Sequence, residues 1–246
     1  MADTAPEPGV PHAQPEEDER HGRLSFRPGP PAAPTGRQGL VALDAGGGTA
    51  LAHVPPAVED GPVRLVLLLH GAGGSARQGL DLLRPVADAH GLLLVAPKSA
   101  RPTWDVITGG YGPDVLAVDA LLAEVAGAYP VSALSVGGFS DGASYALSLG
   151  IANGDVFDSV VAFSPGFTAA LVQHGRPRVY VSHGTMDTVL PVARCSRRLV
   201  PLLQQQGYPV TYEEFEGGHV VPAAAVQQAA AWLDGPPAEG AGRGGA

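Results

Sequence analysis

The sequence predicts an α/β fold: one mostly parallel central sheet with helices on both of its faces, in a single domain. Three observations carry that expectation. Short, continuous apolar runs alternate with segments of helical spacing. The polar, glycine-bearing motifs follow those runs, and in an open parallel sheet ligands sit outside the carboxyl ends of the strands. Between two compositionally biased ends lie roughly 200 residues, enough for one well-buried core.

The elements follow in chain order. Residues 39–43 and 49–54 flank the glycine-rich turn 44–48 and read as a hairpin. Residues 63–69 form an apolar run interrupted only by Arg64, as a strand buried on both faces requires. Residues 78–90 have helical spacing in Leu82, Leu83, Val86 and Ala89, and residues 92–96 form a second buried strand closed by Pro97. A helix is expected over 114–128, and a strand over 134–139 that runs into a helix-like segment at 143–149. Strands at 159–163, 178–182 and 210–215 alternate with helices at 195–206 and 223–233. No internal repeat and no second-domain linker interrupts this pattern.

Residues 1–36 are rich in Pro, Ala and acidic side chains and read as a mobile leader, with Arg23 to Phe26 as a candidate short strand. The domain then spans 37–234, and 235–246 reads as a flexible tail. The chain is 45% hydrophobic and 16% charged, ordinary for a soluble domain. A formal net charge of −9 offers no basic surface for nucleic acid. The single Cys195 cannot close an intrachain disulfide. Neither an early apolar signal region nor a run of 18 or more apolar residues is present, so the expectation is a cytoplasmic protein without a membrane span.

The chemistry-bearing motifs fall on the loops after the strands. Gly138-Phe139-Ser140-Asp141-Gly142 lies between a strand and a helix. That is the context of a nucleophile elbow, in which flanking glycines permit a sharp turn and the serine stands exposed at its apex. The helix N-terminus behind it suits a developing oxyanion. His70-Gly71-Ala72-Gly73-Gly74 follows the 63–69 strand, and its glycines allow close backbone approach to a ligand. A phosphate loop is disfavoured there, because the required lysine is missing. His183-Gly184-Thr185-Met186-Asp187 follows the 178–182 strand, and Gly217-Gly218-His219 follows the 210–215 strand. Ser140, Asp187 and His219 thus stand in the Ser, Asp, His chain order of sheet hydrolases. Asp155 and Asp158 compete for the acid position but precede a strand rather than follow one. His70 and His183 read as structural hydrogen-bonding residues at strand ends. The aperiodic stretch 97–113 offers Trp104 and Tyr111 either as walls of an acyl or alcohol pocket or as side chains that pack the loop, with Leu190 as a further wall residue.

Together these motifs resemble the α/β-hydrolase superfamily and, within it, the small phospholipase/carboxylesterase-like serine esterases. The likeness runs from about residue 63 to residue 233. It implies Ser140 as nucleophile, His219 as base and Asp187 as the acid that orients the base, with backbone N–H groups of Ala72 and Asp141 facing the oxyanion. It implies a small-molecule ester as substrate, with small to medium acyl groups, no metal or organic cofactor, and leaves a homodimer open. An acyl thioesterase or dienelactone-type hydrolase on the same scaffold, or a non-catalytic ligand-binding relative, are the other function classes. The family commonly has glutamine or histidine after the serine and a further glycine beyond the elbow, where this chain has Asp141 and Ala143. Asp141 reads as a carboxylate favoured at a helix N-terminus, and secondarily as a charge that disfavours acidic substrates.

Overall fold

Continuous apolar runs in the sequence become strands covered on both faces. A computed structural model describes residues 20–30, 37–45 and 48–236. In chain order these form β1 (Gly39–Ala45), β2 (Gly48–Val54), β3 (Val63–Leu69), α1 (Ala76–Leu80), β4 (Leu92–Pro97), α2 (Pro113–Ala128), β5 (Val131–Phe139), α3 (Asp141–Ala152), β6 (Ser159–Phe163), β7 (Arg178–Gly184), α4 (Ser196–Gln205), β8 (Val210–Phe215) and α5 (Ala223–Leu233). All eight strands join one sheet in the order β1-β2-β4-β3-β5-β6-β7-β8. The β1–β2 hairpin and the β2–β4 pair are antiparallel. From β4 across to β8 every pair is parallel. The tip of the hairpin, residues 46 and 47, lies outside the described residues.

Strand periodicity divides the core in two. Leu65, Leu67 and Leu69 point into one layer with Val95, Val136 and Tyr145. Val66 and Leu68 point into the other with Leu94, Ala96, Phe163 and Tyr180. The first layer is closed by α2 and α3, through Val118, Leu122 and Leu149, and the second by α1 and α5, through Leu80 and Ala229. Burying each such leucine contributes about 1.5–3 kcal/mol. This two-sided burial explains why β3, apart from Arg64, and β4 read as continuous apolar runs rather than as alternating strands.

The chain turns toward β4 after β3 and toward β6 after β5, so the strand order reverses between the neighbours β3 and β5. At such a switch point the loops leaving the two strands diverge and open a crevice. The loop after β3 begins at His70, and β5 leads directly into Ser140.

Three expectations are corrected. Residues 78–90 do not form one helix: α1 ends at Leu80 and a 3-10 turn covers Arg84–Val86, since Pro85 withholds a helical N–H. Cys195 is the residue before α4 rather than within it. Residues 23–26 form no strand. Arg23 and Leu24 are instead buried against the end of α3. Arg23 donates to the Ala152 carbonyl at 2.6 Å and forms a two-pronged pair with Asp155 at 2.7 and 2.9 Å. The Leu24 N–H donates to Asn153 Oδ1 at 2.9 Å, and Asn153 Nδ2 donates back to the Gly22 carbonyl at 2.7 Å. Residues 1–19, 31–36 and 237–246 lie outside the described residues, and with them most of the leader and tail.

Candidate active site

The elbow is a backbone feature before it is a chemical one. Ser140 has φ 58° and ψ −121°, a conformation that non-glycine residues rarely adopt. It is held by three backbone bonds: its N–H donates to the Phe163 carbonyl, and its carbonyl accepts from Ala143 and Ser144, each at 3.0 Å. The turn also needs room. A Cβ on Gly142 would run into the carbonyl oxygens of Leu69 and His70, so glycine there lets α3 start directly against the β3 loop.

Two further loops converge on the serine. The segment after β7 is pinned to the segment after β8 by Thr185 N–H to Phe215 O and Met186 N–H to Gly217 O, both 2.9 Å. A side chain on Gly184 would strike the carbonyls of Gly217 and Gly218, so this approach too depends on glycine. Asp187 and His219 thereby meet: His219 Nδ1 is 2.6 Å from Asp187 Oδ2, and His219 Nε2 is 2.8 Å from Ser140 Oγ. The His219 ring rests on Phe139, with centroids 4.7 Å apart.

Asp187 is almost fully buried, at 5% exposure. Burial by itself would raise its carboxyl pKa, but hydrogen bonds from His219, Leu190 and Val189 outweigh it and hold the group below the ordinary value. The Val189 and Leu190 N–H groups donate to its Oδ1 at 2.9 and 2.8 Å. An ionised carboxylate only accepts, so the proton between it and His219 belongs to Nδ1. Nε2 then carries the lone pair, and the Ser140 hydroxyl donates to it. Among the described residues neither the Ala72 nor the Asp141 N–H donates to an acceptor, and Asp141 is the first residue of α3.

The other sequence candidates separate. Trp104 is not a pocket wall. It is 1% exposed, its indole N–H donates to the His70 carbonyl at 2.8 Å, and its ring stacks on Tyr145. The cause lies in a pair of buried carboxylates that fold the 97–113 loop inward. Asp114 accepts from Ala100 and Asp105 N–H, and Asp105 accepts from Gly112 and Asp114 N–H, at 2.8 to 3.0 Å. Burial, then the charge of Asp114, raises the Asp105 pKa. Tyr111 is half-buried and ties the loop to its surroundings: its hydroxyl donates to the Ala169 carbonyl at 3.1 Å and Gly22 lies against its ring. Leu190 is half-buried with its methyl groups toward Gly166, whose N–H donates to Ser144 Oγ one turn below Ser140. Asp141 does not cap its helix by a side-chain bond; its Oδ2 accepts from Thr103 Oγ1 at 2.7 Å.

His70 Nδ1 donates to the Gly71 carbonyl at 2.7 Å and its Nε2 accepts from the Ser99 N–H at 3.2 Å. Asp155 and Asp158 instead pair with Arg23 and Arg64, away from the serine. Phe139, Thr103 and Ser196 contribute contacts that spacing did not single out. Only Phe139 carried a signal, as the residue preceding the serine of the pentapeptide. Among the described residues, no group of three or more His, Cys, Asp or Glu is arranged to hold a metal ion. Among them also, no helix is long and apolar enough to cross a membrane.

No family model and no curated protein matches the chain. Solved structures do. The esterase PE8 is 26% identical, with a TM-score of 0.60 over 79% of this chain and 98% of the other. A carboxylesterase from Bacillus cereus is 22% identical, with a TM-score of 0.60 over 77% and 94%. An S-formylglutathione hydrolase from Staphylococcus aureus is 14% identical, with a TM-score of 0.64 over 81% and 100%. With this sheet order and elbow, the chain has the α/β-hydrolase fold, and the esterase PE8 is among the proteins that it resembles.

Proposed function

We propose that the chain is a serine hydrolase that cleaves carboxylic esters of small to medium acyl groups through an acyl-enzyme on Ser140. The observation that carries this reading is the continuous hydrogen-bonded line from Ser140 Oγ through His219 to the buried Asp187. Esterases and hydrolases among the structural neighbours support the reaction class.

A serine hydroxyl is a poor nucleophile at neutral pH and needs a base within hydrogen-bond reach. His219 Nε2 takes the Ser140 proton as Oγ attacks the ester carbonyl. Asp187 keeps the imidazole in the required tautomer and stabilises the imidazolium that forms. The oxyanion accepts from the Ala72 and Asp141 N–H groups, each such donor contributing about 3–4 kcal/mol to the transition state. His219 then returns its proton to the departing alcohol. In the second half, water loses a proton to His219 and attacks the acyl carbonyl, and His219 passes that proton to Ser140 Oγ as its bond to the acyl carbon breaks and the acid leaves. Neither half requires a metal or organic cofactor.

An apolar acyl group fits the rim. Phe167, Met186, Val189 and Val220 are exposed large apolar side chains on the loops after β6, β7 and β8, and Leu190 lies inward of them. Thr103 and the Asp141 carboxylate, beside Ser140 in the chain, are a polar pair next to the elbow. An acyl group on the apolar side loses water-exposed surface at about 0.8 kcal/mol per CH₂.

A fluorophosphonate probe tests the proposal. It is expected to label the folded chain stoichiometrically, and Ser140→Ala to abolish both labelling and p-nitrophenyl ester turnover, by about 10⁴-fold or more. Folded protein that resists the probe would favour a ligand-binding role. Comparing matched oxygen and sulfur esters in one assay decides between esterase and thioesterase.

A further inference from the structure

His183 is a buried titratable group for which the reaction above has no use. Its side chain is 0% exposed, near the end of β7 and one short loop before Asp187. Its Nε2 lies 2.7 Å from the Leu190 carbonyl and 3.3 Å from Asp187 Oδ2, the oxygen that accepts from His219. Its Nδ1 lies 2.7 Å from Ser196 Oγ, at the first residue of α4.

Resting on the proposed reaction, we propose that His183 is a positioning residue for Asp187, its tautomer set by the Leu190 carbonyl and its ring held in place by the Ser196 hydroxyl. A carbonyl oxygen accepts and never donates, so the Nε2 that meets Leu190 must carry the proton. Nδ1 is then an acceptor, and the Ser196 hydroxyl, buried beside it, donates to it. The N–H so aimed acts twice. It clamps the Leu190 carbonyl of the residue whose own N–H holds Asp187 Oδ1. It also turns its positive end toward Oδ2, opposing any rotation of the carboxylate away from His219. Burial, against the opposing pulls of the Leu190 carbonyl and Asp187, lowers the His183 pKa, which is consistent with a neutral ring holding one fixed proton. Glu214 of β8 and His219 are the other ionisable groups acting on it. The chain of contacts therefore runs Ser196, His183, Asp187, His219, Ser140. Partners that orient reacting groups at one remove are worth on the order of ten- to a hundredfold in activity.

A mutant cycle with kcat and KM on a p-nitrophenyl ester separates positioning from mere support of the fold. His183→Leu, similar in volume but without the N–H, is expected to lower kcat by about tenfold or more with KM changed by less than about twofold. His183→Gln, which returns an amide N–H toward Leu190, is expected to recover most of that loss. In an Asp187→Asn background His183→Leu should change kcat by less than about threefold, because the group it positions has already lost its charge. Ser196→Ala, which removes the bond that seats the ring, should lower kcat in the same direction, and the ring-nitrogen NMR of His183 should keep the Nε2–H form while its Nδ1 signal shows loss of a hydrogen bond. Should His183→Leu fail to fold, Ser196→Ala and His183→Gln carry the test. Equal losses in the parent and Asp187→Asn backgrounds, or a kcat unmoved by both His183→Leu and Ser196→Ala, would overturn the inference. An inactive parent chain would sink the proposed reaction as well; an active parent with an additive cycle sinks this inference alone.

Discussion

At the scale of one residue, Ser140 carries a conflict between chemistry and backbone. Its φ of 58° with ψ of −121° is maintained by three backbone hydrogen bonds and by the absence of a side chain at Gly142. A non-glycine residue held there costs on the order of 1–3 kcal/mol. Relief of that strain is partly offset by the larger conformational entropy that glycine gives the unfolded chain. Ser140→Gly is therefore expected to destroy ester turnover while stabilising the fold by about 1 kcal/mol, read as a higher midpoint in urea at unchanged slope. A lower midpoint would mean that the elbow is not strained. That Ser140, Asp187 and His219 come together was legible in the sequence because each belongs to a glycine-bearing motif at a strand end. Trp104 was left between pocket wall and loop packing for an equally physical reason. Nothing near it in sequence shows that Asp105 and Asp114, nine positions apart, accept one another's N–H groups and draw the loop into the core.

Secondary-structure elements place two imidazoles where water does not reach them. His70 directly follows β3 and His183 lies near the end of β7, and both are buried. The strands themselves were legible, since two-sided burial leaves continuous apolar runs; what those runs could not reveal is which of the following polar residues turns inward. Burial is the first cause that lowers both histidine pKa values from the ordinary 6.5. The unfolded chain therefore takes up these protons before the folded one does. Their contribution to stability is complete above pH 6.5 and is lost as the pH falls from there toward the lower folded values. Asp187 and Asp155, held below 3.8, withdraw their contributions only at more acid pH. The melting temperature is expected to fall between about pH 7 and pH 5, and His70→Gln to flatten part of that fall. A pH-independent melting temperature across this window would show that neither imidazole is kept neutral by the fold.

For the molecule as a whole, the domain does not begin where its first strand does. Composition places a boundary near residue 36, because proline and acidic residues give way there to an apolar pattern. Yet Leu24 is part of the main apolar core, and Arg23 satisfies the Ala152 carbonyl at the end of the helix that Ser140 begins. Phe26 packs against the same core, its N–H donates to Asp119 of α2 at 2.7 Å, and Ser25 donates to that carboxylate as well. Local composition could not reveal this, since the partners of Arg23 lie about 130 residues away and a single arginine in a polar stretch carries no period. Gly22 is where the contacts with Asn153 and the Tyr111 ring begin among these residues. Deletion of residues 1–21 leaves these contacts in place and is the reference for a longer cut. Deletion of residues 1–27 removes the arginine, exposes the apolar surface under Leu24 and Phe26, and leaves Asn153 and Asp155 without their partners. Leaving a buried acceptor unsatisfied costs about 1–3 kcal/mol, and the lost leucine burial adds about 1.5–3 kcal/mol. Asp155 is partly exposed, so its ion pair adds little beyond that. The longer deletion should lower the unfolding free energy by several kcal/mol, with turnover at low temperature reduced less than stability, because no described residue of the arm touches Ser140, Asp187 or His219. Equal stability of the two truncations would show that the arm rests on the domain without supporting it.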